Sequence, residues 1–142
     1  MATILSTPEL EAFSKLKHQQ TPMYSIMHGG NKVMMADAVL FMPSELPPTV
    51  MYTLKTKHSE IVLSGDSYIY MDSGGCQLLT PVKHLTNNST TIPKVCIQVG
   101  ENLLWEILDS VTPYPVTPKD KLMTLTIQAN GLAVFVNGFI VR

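Results

Sequence analysis

Apolar and polar residues alternate most regularly between Leu122 and Arg142. The stretches Leu-Met-Thr-Leu-Thr-Ile-Gln-Ala, Leu-Ala-Val-Phe-Val and Phe-Ile-Val are separated by Asn130-Gly131 and Asn137-Gly138. Asn-Gly suits a type I′ hairpin turn, which needs φ > 0 at both central residues. Such turns would pair Ala129 with Leu132, Ile127 with Val134 and Leu125 with Val136, then Val136 with Phe139 and Val134 with Val141. Paired residues share a face of the sheet. That face would hold Leu125, Ile127, Ala129, Leu132, Val134, Val136, Phe139 and Val141, all apolar. A one-residue slip destroys the agreement. The pattern therefore predicts a three-stranded meander whose apolar face closes the core. Its other face carries Ala133, Phe135 and Ile140 among Thr124, Thr126, Gln128 and Arg142. The last strand is expected to be an edge, which makes Phe135, Ile140 and Arg142 candidate subunit contacts.

Upstream, the period changes. Leu10, Phe13 and Leu16 recur at helical spacing, with Thr7 as N-cap, Pro8 at the first helical position and Glu9 and Glu11 in the first turn. Residues 6–17 are expected to form a short helix lying over one face of the domain. Met23–His28 and Lys32–Met42, around Gly29-Gly30-Asn31, read as a hairpin. Its second arm is apolar on both faces except at Asp37. Val50–Lys57, Glu60–Ser64 and Ser67–Asp72 read as a second meander. Gly65-Asp66 there would form a type II′ turn, pairing Leu63 with Tyr68 and Ile61 with Tyr70. Pro81 confines Gln77–Leu85 to an edge or short strand, and Lys94–Val99 is a strand by pattern. Leu103, Leu104, Ile107 and Leu108 predict a second short helix, carrying Trp105. Thr112–Pro118 reads as an extended linker.

The expectation is a mainly β fold: an antiparallel β-sandwich or flattened barrel with two short α-helices, forming a single β-rich domain over residues 1–142. Composition adds one constraint. Charged residues are 15% of the chain and apolar residues 45%. A typical soluble domain carries about 25% charged residues. Much uncharged surface suits either a Thr/Ser-rich β surface or packing against copies and partners. The net charge is −1 with no run of Lys or Arg, which disfavours nucleic-acid binding. No transmembrane stretch or signal peptide is visible, so a cytoplasmic or virion location is expected. Cys76 and Cys96 are either paired or reduced and buried, and the lack of a secretion signal favours the second reading. Asn87 and Asn88 fit the glycosylation pattern and also fit a polar loop.

Reactive constellations are sparse. Asp72-Ser73-Gly74-Gly75 resembles the nucleophile segment of chymotrypsin-like serine proteases, and His28, Asp37 and Ser73 follow that family's chain order. Met71 stands where the family has Gly, and His28 lacks the Ala-Ala-His-Cys setting. A Gly-Gly turn accounts for the same letters. His18, His28, His58 and His84 are widely spaced, and Cys76, His84 and Cys96 lack metal-ligand spacing. No cofactor or metal is expected. The methionines cluster in the first half and are read as core filling.

These features point to a non-enzymatic structural protein that self-associates through its sheet, as a homo-oligomer or within a larger protein assembly such as a virion or capsid. Two alternatives stand beside it. Tyr68, Tyr70 and Trp105 could stack on a sugar, and Leu-Ala-Val-Phe-Val-Asn-Gly resembles the closing strand of galectins, which implies a lectin-like sandwich. The galectin His-Asn-Pro-Arg and Trp-Gly-Glu elements are absent. A helix followed by a hairpin, with Thr-Ile-Gln-Ala-Asn-Gly-Leu-Ala-Val, resembles a repeat of a sliding clamp. That resemblance implies a DNA-facing helix with Lys15, Lys17 and His18.

Overall fold

Short period-two stretches bounded by Gly, Pro, Asn and Asp dominate the chain. In the computed structural model they form two facing antiparallel sheets. The structure describes residues 2–15, 21–25, 32–36, 39–43, 50–73, 75–86, 93–127 and 132–142. In order, the elements are β1 (Ala2–Leu5), helix α1 (Pro8–Ser14), β2 (Thr21–Ser25), β3 (Lys32–Ala36), β4 (Val39–Pro43), β5 (Met51–Lys55), β6 (Glu60–Ser64) and β7 (Tyr68–Ser73). Then come β8 (Cys76–Pro81), a 3₁₀ turn (Val82–Thr86), β9 (Lys94–Val99), β10 (Asn102–Ile107), β11 (Ser110–Tyr114), β12 (Leu122–Ile127), β13 (Leu132–Val136) and β14 (Phe139–Val141). The first sheet runs β11-β5-β6-β1-β12-β4. The second runs β10-β9-β7-β14-β13-β2-β3, with β8 also paired to β7.

Between the sheets lies the main core. The first sheet contributes Ile4, Leu54, Ile61, Leu63 and Leu125, and the second Ile69, Ile97, Val134, Phe139 and Val141. Both outer faces are also partly covered. Tyr70, Cys96, Ala133 and Ile140 form a separate buried cluster. Met51, Val62 and Leu122 form another, against Tyr114 and Val116.

The mainly β expectation holds, and α1 begins as its cap predicts. The Thr7 hydroxyl accepts a hydrogen bond from the Leu10 N–H at 3.2 Å. The Asn137-Gly138 hairpin has the expected register, Val136 opposite Phe139 and Val134 opposite Val141. Both turn residues have positive φ, 50° and 86°. The rest of the expected meander is corrected. β12 pairs with β1 and β4 in the first sheet, while β13 pairs with β2 in the second. Leu125 and Val136 are therefore not cross-strand partners. They still meet in one core, because the two sheets face each other. Alternation marks the interior side of a strand without naming its neighbour. Ala129, Asn130 and Gly131 lie outside the described residues.

The last strand is not an edge. In β14, Phe139 pairs with Ile97 and Val141 with Ile69, so β14 lies inside the second sheet. The expected β6–β7 hairpin is also absent, since those strands belong to different sheets. Gly65 is not among the positive-φ glycines, whereas a type II′ turn requires one at its first position. The expected helix at Asn102 is strand β10, paired with β9 after a turn at Gly100, which has φ 63°. The long arm from Lys32 divides into β3 in one sheet and β4 in the other. Asp37 and His28 fall outside the described residues.

Gly138 should be the least replaceable of the described glycines. A Cβ there would lie 3.0 Å from the Gln98 carbonyl oxygen at φ +86°, whereas Gly75 has the same φ and open space. Gly75→Ala is expected to cost about 1–2 kcal/mol from backbone strain alone. Gly138→Ala should cost more than that, as measured by urea unfolding.

Candidate functional site

Ser64-Gly65-Asp66-Ser67 turns the chain from β6 in the first sheet to β7 in the second. The Ser67 N–H donates to the Ser64 carbonyl at 3.1 Å and closes the turn. Ser64 is 4% exposed and Ser67 fully buried. A buried hydroxyl needs a partner, and these two find one another at 2.8 Å. Ser64 Oγ also accepts the Thr3 N–H of β1 at 3.2 Å. On the far side, Tyr68 and Arg142 exchange backbone hydrogen bonds at 2.7 and 2.9 Å. Strands β1 and β14, close to the two ends of the chain, thus converge on one short corner.

Other elements fix that corner. The Gly65 N–H donates to the Val50 carbonyl, and the Gly65 and Ser67 carbonyls accept from Lys83 and Val82 of the 3₁₀ turn. Close approach explains the glycine. A Cβ on Gly65 would sit 3.2 Å from the Tyr52 ring and 3.3 Å from Lys83 Cβ. Beside the corner is a cleft of about 110 Å³ lined by Leu125, Thr126, Ile127 and Arg142.

A second polar cluster lies at the other end of β6. The Thr56 hydroxyl donates to Glu106 Oε1 at 2.9 Å, and His58 Nδ1 meets Glu106 Oε2. The Thr56 oxygen accepts from the His58 and Ser59 N–H groups. Asn137 Nδ2 donates to the Glu60 carbonyl. Three contacts thus tie the β5–β6 hairpin to the second sheet. Burial pulls the Glu106 pKa upward, but the hydrogen bonds from His58 and Thr56 and the charge of His58 outweigh it, and the net direction is down.

The residues singled out from the sequence are dispersed. Ile140 is wholly buried within the chain and Phe135 packs against the same cluster, while Arg142 lines the cleft. Tyr68 is 43% exposed, but Tyr70 is buried, with the Trp105 ring 5.7 Å from its own. Asp72 accepts the Gly75 N–H at 2.9 Å and so caps the β7–β8 turn. Cys96 is a free, buried thiol whose pKa is pushed up to about 11 by burial, which makes it a poor nucleophile. Among the described residues no group of three His, Cys, Asp or Glu could hold a metal ion, and no helix is long and apolar enough to cross a membrane. Ser64 and Ser67 carried no signal of their own in the sequence, where serines beside a Gly-Asp pair read as turn residues. The available clue was a turn joining two strands that each have an apolar face.

No protein-family model matches the chain, and no curated protein is similar to it. Solved structures are. A DnaB intein from Synechocystis sp. PCC 6803 aligns with TM-score 0.65 at 14% identity, over 99% of this chain and 93% of that one. The PabCDC21-1 intein aligns with TM-score 0.62 at 18% identity, over 87% and 70%. The TvoVMA intein aligns with TM-score 0.59 at 8% identity, over 98% and 92%. At these identities the likeness is one of fold, and the fold is that of inteins.

This corrects the functional expectation. The non-enzymatic assembly or virion protein rests on low charge and β content, the lectin on Tyr68, Tyr70, Trp105 and a galectin-like strand, and the sliding clamp on a helix-and-hairpin resemblance. The structures that share this fold are inteins, which are autocatalytic protein-splicing domains. The reading of the chain as no enzyme falls with the other three.

Both polar clusters generate expectations. Ser64→Ala leaves the Thr3 N–H and the Ser67 hydroxyl without their acceptor or partner, and should cost about 1–3 kcal/mol in urea unfolding. Ser67→Ala should cost a similar amount, and the double variant clearly less than the sum. For Glu106, a depressed folded pKa means that its contribution is present above the ordinary value of 4.5 and is lost as pH falls below it. Glu106→Gln should flatten the acid limb of a plot of Tm against pH and leave its neutral limb parallel to that of the unaltered chain.

Proposed function

We propose that the chain is a self-processing domain of the intein type, acting on a peptide bond of its own polypeptide rather than on a separate substrate. The observation that carries this reading is the convergence of β1 and β14 on the Ser64–Ser67 corner, within the fold of inteins. Any reaction that cuts or joins polypeptide at both ends of a domain needs those ends close together, because proximity removes most of the entropic cost of bringing groups together. Here Thr3 and Arg142 are each hydrogen-bonded to a residue of one five-residue stretch, Ser64 to Tyr68.

The two serines have distinct roles in this scheme. Ser64 Oγ is engaged by the Thr3 N–H, so it holds the incoming strand and is not aimed at a carbonyl. Ser67 carries the buried hydroxyl behind it. Such a group can relay a proton once an oxygen nucleophile has added to the carbonyl carbon: as the tetrahedral adduct collapses the C–N bond breaks, the leaving nitrogen takes the hydroxyl proton, and the proton given up by the nucleophile restores the hydroxyl.

The test is a precursor in which the chain sits between two folded reporter modules, followed by denaturing gel and intact-mass analysis. The expected result is release of at least one reporter, or joining of both, slowed at least about tenfold by Ser67→Ala, the low end of what a positioned proton donor contributes. A precursor that stays whole over days, across neutral and mildly acidic pH and with the domain shown to be folded, would refute the proposal.

A further inference from the structure

Thr112-Pro113-Tyr114-Pro115-Val116-Thr117-Pro118 places three prolines in seven residues. A proline ring fixes its own φ at about −65° and pushes the residue before it out of the helical region. Thr112, Tyr114 and Thr117 are each held extended in this way. The chain leaves β11 at Tyr114 and crosses the outer side of the first sheet. Tyr114 and Val116 turn inward, onto Met51, Val62 and Leu122. Pro115, Thr117 and Pro118 are exposed. Asp120 fastens the far end. Its carboxylate accepts the Tyr114 hydroxyl at 3.1 Å, and the Thr117 N–H and hydroxyl at 2.9 and 3.3 Å. The Asp120 N–H donates to the Thr117 carbonyl at 3.0 Å. These bonds, that of the Thr117 N–H first, hold the Asp120 carboxyl below its ordinary range.

The strap thus covers the sheet with two side chains and presents Pro115 and Pro118 to water. A Pro-x-x-Pro spacing sets both rings on one edge of a polyproline II helix, which turns once in about three residues. Protein grooves lined by aromatic side chains recognise such segments, because little entropy is lost in ordering them. Charge follows the rings. Lys119 is exposed, and the Lys121 side chain is 79% exposed beside Glu11.

We infer that residues 114–121 are a docking site for a protein module with an aromatic-lined groove and an acidic rim. The rings of Pro115 and Pro118 seat against the aromatic walls, and Lys119 and Lys121 face the rim. The inference goes beyond the self-processing reading and does not depend on it, since binding in trans needs no precursor.

The test titrates the ¹⁵N-labelled chain with a set of SH3 domains that have acidic rims, and with the same domains after one groove aromatic is replaced by alanine. The expected result is amide shifts at Val116, Thr117, Lys119, Asp120 and Lys121 with intact grooves and none with the altered ones. Pro115→Ala and Pro118→Ala should each weaken binding at least about fivefold, with the rest of the spectrum unmoved. Lys119→Glu changes an exposed position and should leave the fold intact. It should weaken binding at low salt and have less effect at high salt. A synthetic peptide of residues 111–121 should bind more weakly than the chain, because it must be ordered on binding. Binding by the peptide and none by the chain would show that the sheet closes the site off, and would overturn the inference. Shifts confined to other strands, binding that survives both proline substitutions, or no shifts with any member of the set would overturn it equally.

Discussion

The hydrogen bond between the Ser64 and Ser67 hydroxyls holds the rest of the structure in relation. Both residues are buried, and the Ser67 hydroxyl finds its partner in Ser64 Oγ, which also accepts the Thr3 N–H. Their corner carries the chain from one sheet to the other. It also receives a strand from near each end of the sequence and the 3₁₀ turn from the middle. Loss of the pair would disturb a junction of five elements, where most surface turns join two. The glycine beside it is required by the Tyr52 ring and by Lys83, and not by left-handed backbone.

Burial on both faces of both sheets is the second constraint. The main core lies between the sheets, and smaller clusters around Tyr70 and Met51 cover their outer sides. This arrangement buries many apolar residues within one chain, while Val50, Leu78, Leu104 and Ile107 among the described residues stay exposed. The fold shared with inteins overturns the virion and capsid analogy.

Local chemistry was legible in the sequence and strand pairing was not. The cap at Thr7 and the turn at Asn137-Gly138 depend on residues close in sequence, and both form as read. Of the expected inward face of β12, β13 and β14, Leu125, Val134, Val136, Phe139 and Val141 lie in the core and Ile127 packs against it. The partners of those strands depend on contacts across most of the chain, such as Ala2 with Leu125 and Ile4 with Leu63. Gly65-Asp66 resembled a hairpin turn because its letters suit one, although its backbone turns a corner between sheets. The Leu-rich segment at Asn102 resembled a helix because paired leucines fit either period once Gly100 is taken as a helix start and not as a hairpin turn. The candidate site shared this difficulty. Its two serines become informative only once both are buried and facing each other, which no local pattern records.

The central claim is that the two ends of the fold meet at one buried corner. A single ¹⁵N-edited NOESY spectrum of the intact chain tests it most directly. The account predicts cross-strand amide contacts between Arg142 and Tyr68, together with contacts from the Thr3 amide to the Ser64 side chain, all protected from solvent exchange. A spectrum in which either set is missing while the Val134–Val141 hairpin contacts are present would show that the ends do not converge, and would contradict the account.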